Sequence, residues 1–145
     1  MLFGKRTRIV KRILIVEDEP LTAFENEYRL SDAGYTVVAT LDSYDEAIKT
    51  IDEETIDLIL SDVRLNGERS GVDLARIAQQ RGIPLLFVTG RAPDNASELA
   101  LGCLSKPYTD RMLTAALEAV DNHLSGRKVK KLDGLEIFET PTKAS

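Results

Sequence analysis

The chain is poor in the residues that build disulfides and soft-metal sites. One cysteine, Cys103, cannot close an internal disulfide, and one histidine, His123, cannot form an imidazole zinc site. A disulfide-stapled secreted scaffold is excluded. No apolar run approaches the roughly 18 to 20 residues of a membrane span, and Met1 to Lys11 lacks the apolar stretch of a secretory signal. A cytoplasmic protein is expected. At 145 residues the chain supports one compact core, so a two-domain enzyme is excluded as well.

Charge is unevenly spread. The total is 19 basic against 24 acidic side chains, a net of −5. Residues 1–12 carry five basic residues (Lys5, Arg6, Arg8, Lys11, Arg12) and no acid, and residues 125–145 carry five basic and three acidic ones. The body between them is therefore strongly acidic and repels nucleic acid phosphate. The basic ends are read as solvated tails.

Two periodicities alternate along the body. Ile13 to Val16 is a wholly apolar, mostly β-branched run, as expected of a strand buried on both faces. Pro20 suits a first helical turn, and Leu21, Phe24 and Tyr28 follow at helical spacing until Gly34. Residues 35–39 read as a second strand. Asp42 or Ser43 caps a helix bearing Ala47, Ile48 and Ile51. Residues 56–60 form a third strand ending in Ser61-Asp62, and a polar loop, 64–70, leads to a helix with Val72, Leu74, Ala75, Ile77 and Ala78. Residues 84–88 and 101–105 are the fourth and fifth strands. Thr109 caps a last helix carrying Leu113, Leu117, Val120 and Leu124. The pattern predicts a (βα)5 fold, a doubly wound parallel five-stranded sheet with helices on both faces.

In such a sheet, chemistry gathers at the carboxyl ends of the strands. The residues that follow the apolar runs are Glu17-Asp18-Glu19, Asp62, Thr89 and Lys106-Pro107. Acids on neighbouring strand ends repel one another unless a cation lies between them. A hard divalent ion suits such oxygen ligands, and Mg²⁺ fits two carboxylates plus waters and phosphate. A lysine can pair with a phosphoryl oxygen or a carboxylate, and a threonine hydroxyl can donate to another oxygen. Glu19 can instead cap the first helix or favour its dipole. His123 reads as a charge partner at a helix C-terminus, and Cys103 as an ordinary strand residue without a lowered thiol pKa.

The motifs ILIVEDEP, LILSDVRL, LLFVTG and CLSKPY, in that order, resemble those of response-regulator receiver domains of two-component signalling, over residues 12–124. The resemblance implies the flavodoxin-like receiver topology. It further implies that Asp62 is the phosphoacceptor, that Glu17 and Asp18 are the acidic pair, and that the Arg64 carbonyl is a third protein oxygen on Mg²⁺. Asp18 matches a direct metal ligand, and Glu17 one acting through water. Thr89 and Lys106 match the hydroxyl residue and the lysine before a proline that is often cis. The implied partners are a sensor histidine kinase or a histidine phosphotransfer protein, plus an unknown downstream protein. No DNA-binding output domain and no membrane partner are expected, and the state expected is a monomer or weak homodimer. The protein is then no general enzyme, catalysing only its own Mg-dependent phosphorylation and dephosphorylation.

The sequence departs from that pattern in places. Cys103 stands where an aromatic usually precedes the lysine by three residues, and Asn66 stands where a proline usually follows the acceptor by four. Thr89 and Lys106 are closer together than usual, which leaves room for a fourth helix of at most about two turns. Residues 87–90, Phe-Val-Thr-Gly, resemble a single-domain subgroup with a Phe-Ala-Thr-Gly signature. The domain is expected over 12–124, between a basic extension (1–11) and a tail (125–145) in which Asp133-Gly134 signals a hairpin or else a flexible segment, with Leu135, Ile137 and Phe138 able to pack back on the body, add a strand to an edge or contact a partner. Three alternatives stay open: an adaptor of the same fold independent of phosphate, a sink or shuttle within a phosphorelay, and a haloacid-dehalogenase-like phosphohydrolase. The last normally has a second aspartate two residues after its nucleophile, where this chain has Arg64.

Overall fold

A computed structural model describes residues 7–138. Residues 1–6 and 139–145, parts of the two expected extensions, lie outside the described residues. The strands are β1 (Arg12–Val16), β2 (Thr36–Leu41), β3 (Leu58–Asp62), β4 (Leu85–Thr89), β5 (Gly102–Ser105) and β6 (Leu135–Ile137). The helices are α1 (Pro20–Asp32), α2 (Tyr44–Glu53), α3 (Gly71–Gln80), α4 (Ala96–Leu99) and α5 (Asp110–Leu124). The strands form one sheet in the order β2-β1-β3-β4-β5-β6, parallel except for the antiparallel β6. The predicted (βα)5 arrangement is present, with the fourth helix reduced to a single turn.

Successive strand residues point to opposite faces, and each face has its own core. Ile13, Ile15, Leu58, Leu60, Leu86, Val88 and Leu104 pack with Leu30 of α1 and with Leu113, Leu117 and Val120 of α5. Leu14, Val16, Ile59, Leu85, Phe87 and Cys103 pack with Ala47 and Ile51 of α2, with Leu74, Ala75 and Ala78 of α3, and with Ala96 and Leu99 of α4. Burial on both sides explains why these strands read as unbroken apolar runs.

Leu21, Phe24 and Tyr28 signal α1 by their spacing, yet they are 65%, 69% and 60% exposed. The helix is held instead by Ala23, Asn26 and Leu30. Asn26 is tolerated in that interior because its side-chain amide donates to the Tyr108 hydroxyl at 2.8 Å.

The basic N-terminal segment is likewise no free tail where it is described. The buried Asp121 carboxylate accepts the Ile9 and Val10 N–H groups at 2.9 Å each. Arg8 lies over the Tyr35 ring and donates to the Ala33 carbonyl. Asp57 accepts from the N–H groups of Lys11 and Arg12.

The turn at Asp133-Gly134 does not fold the tail into a hairpin with itself. It delivers β6 to the edge of β5, with Ser105 N–H donating to the Gly134 carbonyl (2.8 Å) and Phe138 N–H to the Leu101 carbonyl (2.9 Å). The approach is close enough that a Cβ on Gly102 would lie 2.3 Å from the Glu136 carbonyl oxygen, so glycine is required there.

Candidate functional site

The strand ends deliver the polar residues to one rim of the sheet. β1 runs straight into Glu17, whose N–H donates to the Leu41 carbonyl at the end of β2 (2.8 Å). Glu19 resolves as the N-cap of α1, accepting from Leu21 N–H at 2.9 Å, which leaves Glu17 and Asp18 as the rim acids of β1. β3 ends in Asp62, β4 in Thr89, and β5 delivers Lys106 one residue past its end. Lys106 is joined to Pro107 by a cis peptide bond, and its N–H donates to the Thr89 carbonyl at 2.9 Å. Helix α3 packs so close behind Asp62 that a Cβ on Gly71 would fall 2.0 Å from the Asp62 carbonyl oxygen.

Three acids and one ammonium meet there. One carboxylate oxygen from each of Glu17, Asp18 and Asp62 can be chosen so that all lie within 4.8 Å of one another. Lys106 Nζ lies 3.2 Å from Glu17 Oε1 and 3.2 Å from Asp62 Oδ2. The pairs are poorly solvated: the Glu17 and Asp62 side chains are 3% and 11% exposed. Burial, reinforced by the neighbouring Asp62, raises the Glu17 pKa to about 7. The same two causes raise that of Asp18. Burial works against the Lys106 ammonium, but Glu17 and Asp62 outweigh it and hold its pKa above the ordinary lysine value.

Among the described residues, the Lys106 ammonium pairs with two of the three acids, Glu17 and Asp62, and no ion pair is shown for Asp18. The donor set is all oxygen, compact and anionic, which suits a hard divalent cation and no soft metal. Cys103 contributes nothing, because burial followed by repulsion from Glu136 pushes its thiol up to about 11.

The remaining expected site residues line a cleft of about 650 Å³ over this cluster, which includes Asp18, Asp62, Arg64, Thr89, Arg91 and Lys106. Thr89 is close but turned aside. Its hydroxyl donates to the Arg91 carbonyl (2.9 Å) and accepts the Arg91 N–H (3.1 Å), closing a small loop after β4. Three participants went unread in the sequence. Arg91 enters the cleft wall with no signal beyond lying two residues after Thr89. Tyr108 and Asn26 tie the segment after Lys106 to α1 across 82 residues, which no local pattern reveals.

A profile described as the response regulator receiver domain matches residues 13–118. The chain belongs to that family. PhoP of Bacillus subtilis (strain 168), an alkaline phosphatase synthesis transcriptional regulatory protein, is 31% identical over 76% of this chain and 48% of its own length. The chain thus spans about half the length of the first curated relatives it matches. Among solved structures, SdrG from Sphingomonas melonis Fr1 is 31% identical, with a TM-score of 0.64 over 75% of this chain and 94% of that one. A CheY-like receiver domain protein from Methanospirillum hungatei JF-1 superposes with a TM-score of 0.72 at 25% identity, over 81% of this chain and 98% of that one.

This receiver domain carries the acidic and lysine cluster typical of phospho-accepting response regulators. The arrangement is consistent with self-phosphorylation and dephosphorylation rather than general catalysis. No helix among the described residues is long and apolar enough to cross a membrane.

Proposed function

We propose that Asp62 accepts a phosphoryl group from the phosphohistidine of a sensor kinase or phosphotransfer protein, with Mg²⁺ on the acidic cluster, in the cytoplasm. The observation that carries this reading is Lys106 Nζ, held 3.2 Å from both Asp62 and Glu17 at the rim of the sheet. A carboxylate oxygen of Asp62 attacks phosphorus as the histidine N–P bond breaks, giving an acyl phosphate and a free imidazole. Lys106 offsets charge on the transferring oxygens, its ammonium form favoured by Glu17 and Asp62. Thr89 positions one of those oxygens once its hydroxyl leaves the Arg91 carbonyl. Asp18, Asp62 and the Arg64 carbonyl would hold the metal, and Glu17 would act on it through water. When bound, the ion supplies charge neutralisation on the phosphoryl oxygens.

The donor docks against α1. That helix begins at the rim, and Leu21, Phe24 and Tyr28 expose a continuous apolar stripe along it. Such a stripe suits the apolar side of a partner helix better than it suits water. The phosphorylated domain then acts through protein contacts.

Transfer from a phosphorylated histidine protein to the wild-type chain and to D62A tests the reading. Phosphate is expected on the wild type alone. Equal labelling of D62A would overturn it.

A further inference from the structure

We infer that Asp42 and Asn66 are positioning residues that set the acceptor loop against the acidic pair before any ligand arrives. The inference rests on the reading of residues 17, 18, 62 and 64 given above and names a part of the chain outside that set. The loop after Asp62, residues 63–70, carries the Arg64 carbonyl, and beyond Val63 and Leu65, which pack against the core, it is polar. It is nonetheless anchored at three points. Gly71 N–H donates to the Val63 carbonyl at 2.7 Å, closing the base of the loop. Asn66 N–H donates to the Asp42 carbonyl at 3.1 Å, and the Asn66 side-chain amide donates to Asp42 Oδ2 at 3.2 Å. The Arg69 guanidinium lies 5.3 Å from the centre of the Tyr44 ring.

The anchoring partner is what gives these contacts a role. Leu41, Asp42 and Ser43 form the junction between β2 and α2. The Leu41 carbonyl accepts the Glu17 N–H at 2.8 Å, and Ser43 makes an isolated parallel bridge with Asn66. The same three-residue junction therefore touches the acidic pair on one side and the acceptor loop on the other. Ser43 also caps α2, which roots the junction in a helix. Two groups separated by some fifty residues are set at a fixed spacing through one strut. A cation site gains affinity when its oxygens need not be gathered on binding.

The position chosen is informative. A proline at 66 would have no N–H to give, so the backbone bond to the Asp42 carbonyl needs a residue other than proline, and the second bond, to Asp42 Oδ2, needs the asparagine amide. Asp42 and Asn66 are exposed, so their substitution leaves the core intact.

The test uses the full chain as wild type, N66A, D42A and the exchange D42N/N66D, which keeps net charge and restores an amide–carboxylate pair. Backbone NMR is recorded without metal and through a titration with Mg²⁺ alone, with a thermal melt of each protein. In N66A and D42A, metal-free amide shifts are expected to reach both residues 63–65 and residues 17–18. Mg²⁺ affinity is expected to fall about tenfold, as for other supporting contacts behind metal ligands. The exchange should restore affinity to within about threefold of wild type, against the roughly tenfold loss. Melting temperatures should stay close to wild type. Shifts confined to 66–69, with residues 17–18 unmoved, would overturn the strut. If the wild type failed to bind Mg²⁺ at the acidic cluster, the metal reading would fall, while the metal-free shifts would still decide the strut.

Discussion

Replacing Glu17 by glutamine removes a charge that the folded protein holds unwillingly. Burial and Asp62 raise the Glu17 pKa from 4.5 to about 7. In that interval the folded state binds more protons than the unfolded state, so stability falls as pH rises through it. The penalty is absent below about pH 4.5 and complete above about pH 7. Each pH unit across the interval corresponds to about 1.4 kcal/mol, which bounds the effect near 3 kcal/mol. Glutamine recovers less than that bound. It keeps an acceptor for Lys106 but gives up one of the two carboxylate oxygens, such as the one that accepts the Glu19 N–H at 3.1 Å. A net gain of about 1–2 kcal/mol at pH 8 is expected for metal-free E17Q, which raises Tm by roughly 3–7 °C in a domain of this size. Thermal melts of both proteins in chelator, from about pH 4.5 to pH 8.5, measure the difference. It should grow with pH and vanish near the acid end. Saturating Mg²⁺ should shrink or reverse it, because the ion takes up the charge that destabilises the wild type. A difference that did not change with pH would refute the assignment of Glu17 as the strained acid.

Asp18→Asn keeps the size of the side chain and removes its attraction for a hard cation, so Mg²⁺ affinity should fall by at least about tenfold in an NMR titration. Unchanged affinity would remove Asp18 from the metal site. Lys106→Ala should retain the fold, because the side chain is partly solvated, yet lower the phosphorylation rate by about a hundredfold. Labelling at the wild-type rate, measured by mass against time, would show that its charge is not used.

The strand ends were legible because a doubly buried parallel strand is a short apolar run, and the polar residue that ends it lies on the rim by construction. Asp62, Thr89 and Lys106 were found in that way; the close spacing of Thr89 and Lys106 limited the fourth helix to at most about two turns, and the caps were read as Asp42 or Ser43 and as Thr109. Periodicity located α1 but does not say which face is buried, and Leu21, Phe24 and Tyr28 are exposed in the folded chain. The Asp133-Gly134 turn was visible, but a turn does not say which strand it serves. β6 pairs with β5 because Gly102 admits its backbone, a fact about residues more than thirty positions away. The pairing of Asp42 with Asn66 was illegible as well. Exposed polar residues in loops carry no periodicity, and only the folded chain pairs them.

The most direct measurement is of Asp62 itself. The wild-type chain and D62A are incubated with a small phosphodonor and Mg²⁺, and intact mass and peptide mapping follow the label. The wild type should gain one phosphoryl group, mapped to the peptide containing Asp62, and lose it again as the acyl phosphate hydrolyses. Omitting Mg²⁺ should suppress the gain, and D62A should remain unlabelled. Labelling of D62A to the wild-type extent, or a wild type that takes up no phosphate under these conditions, would contradict the account at its centre.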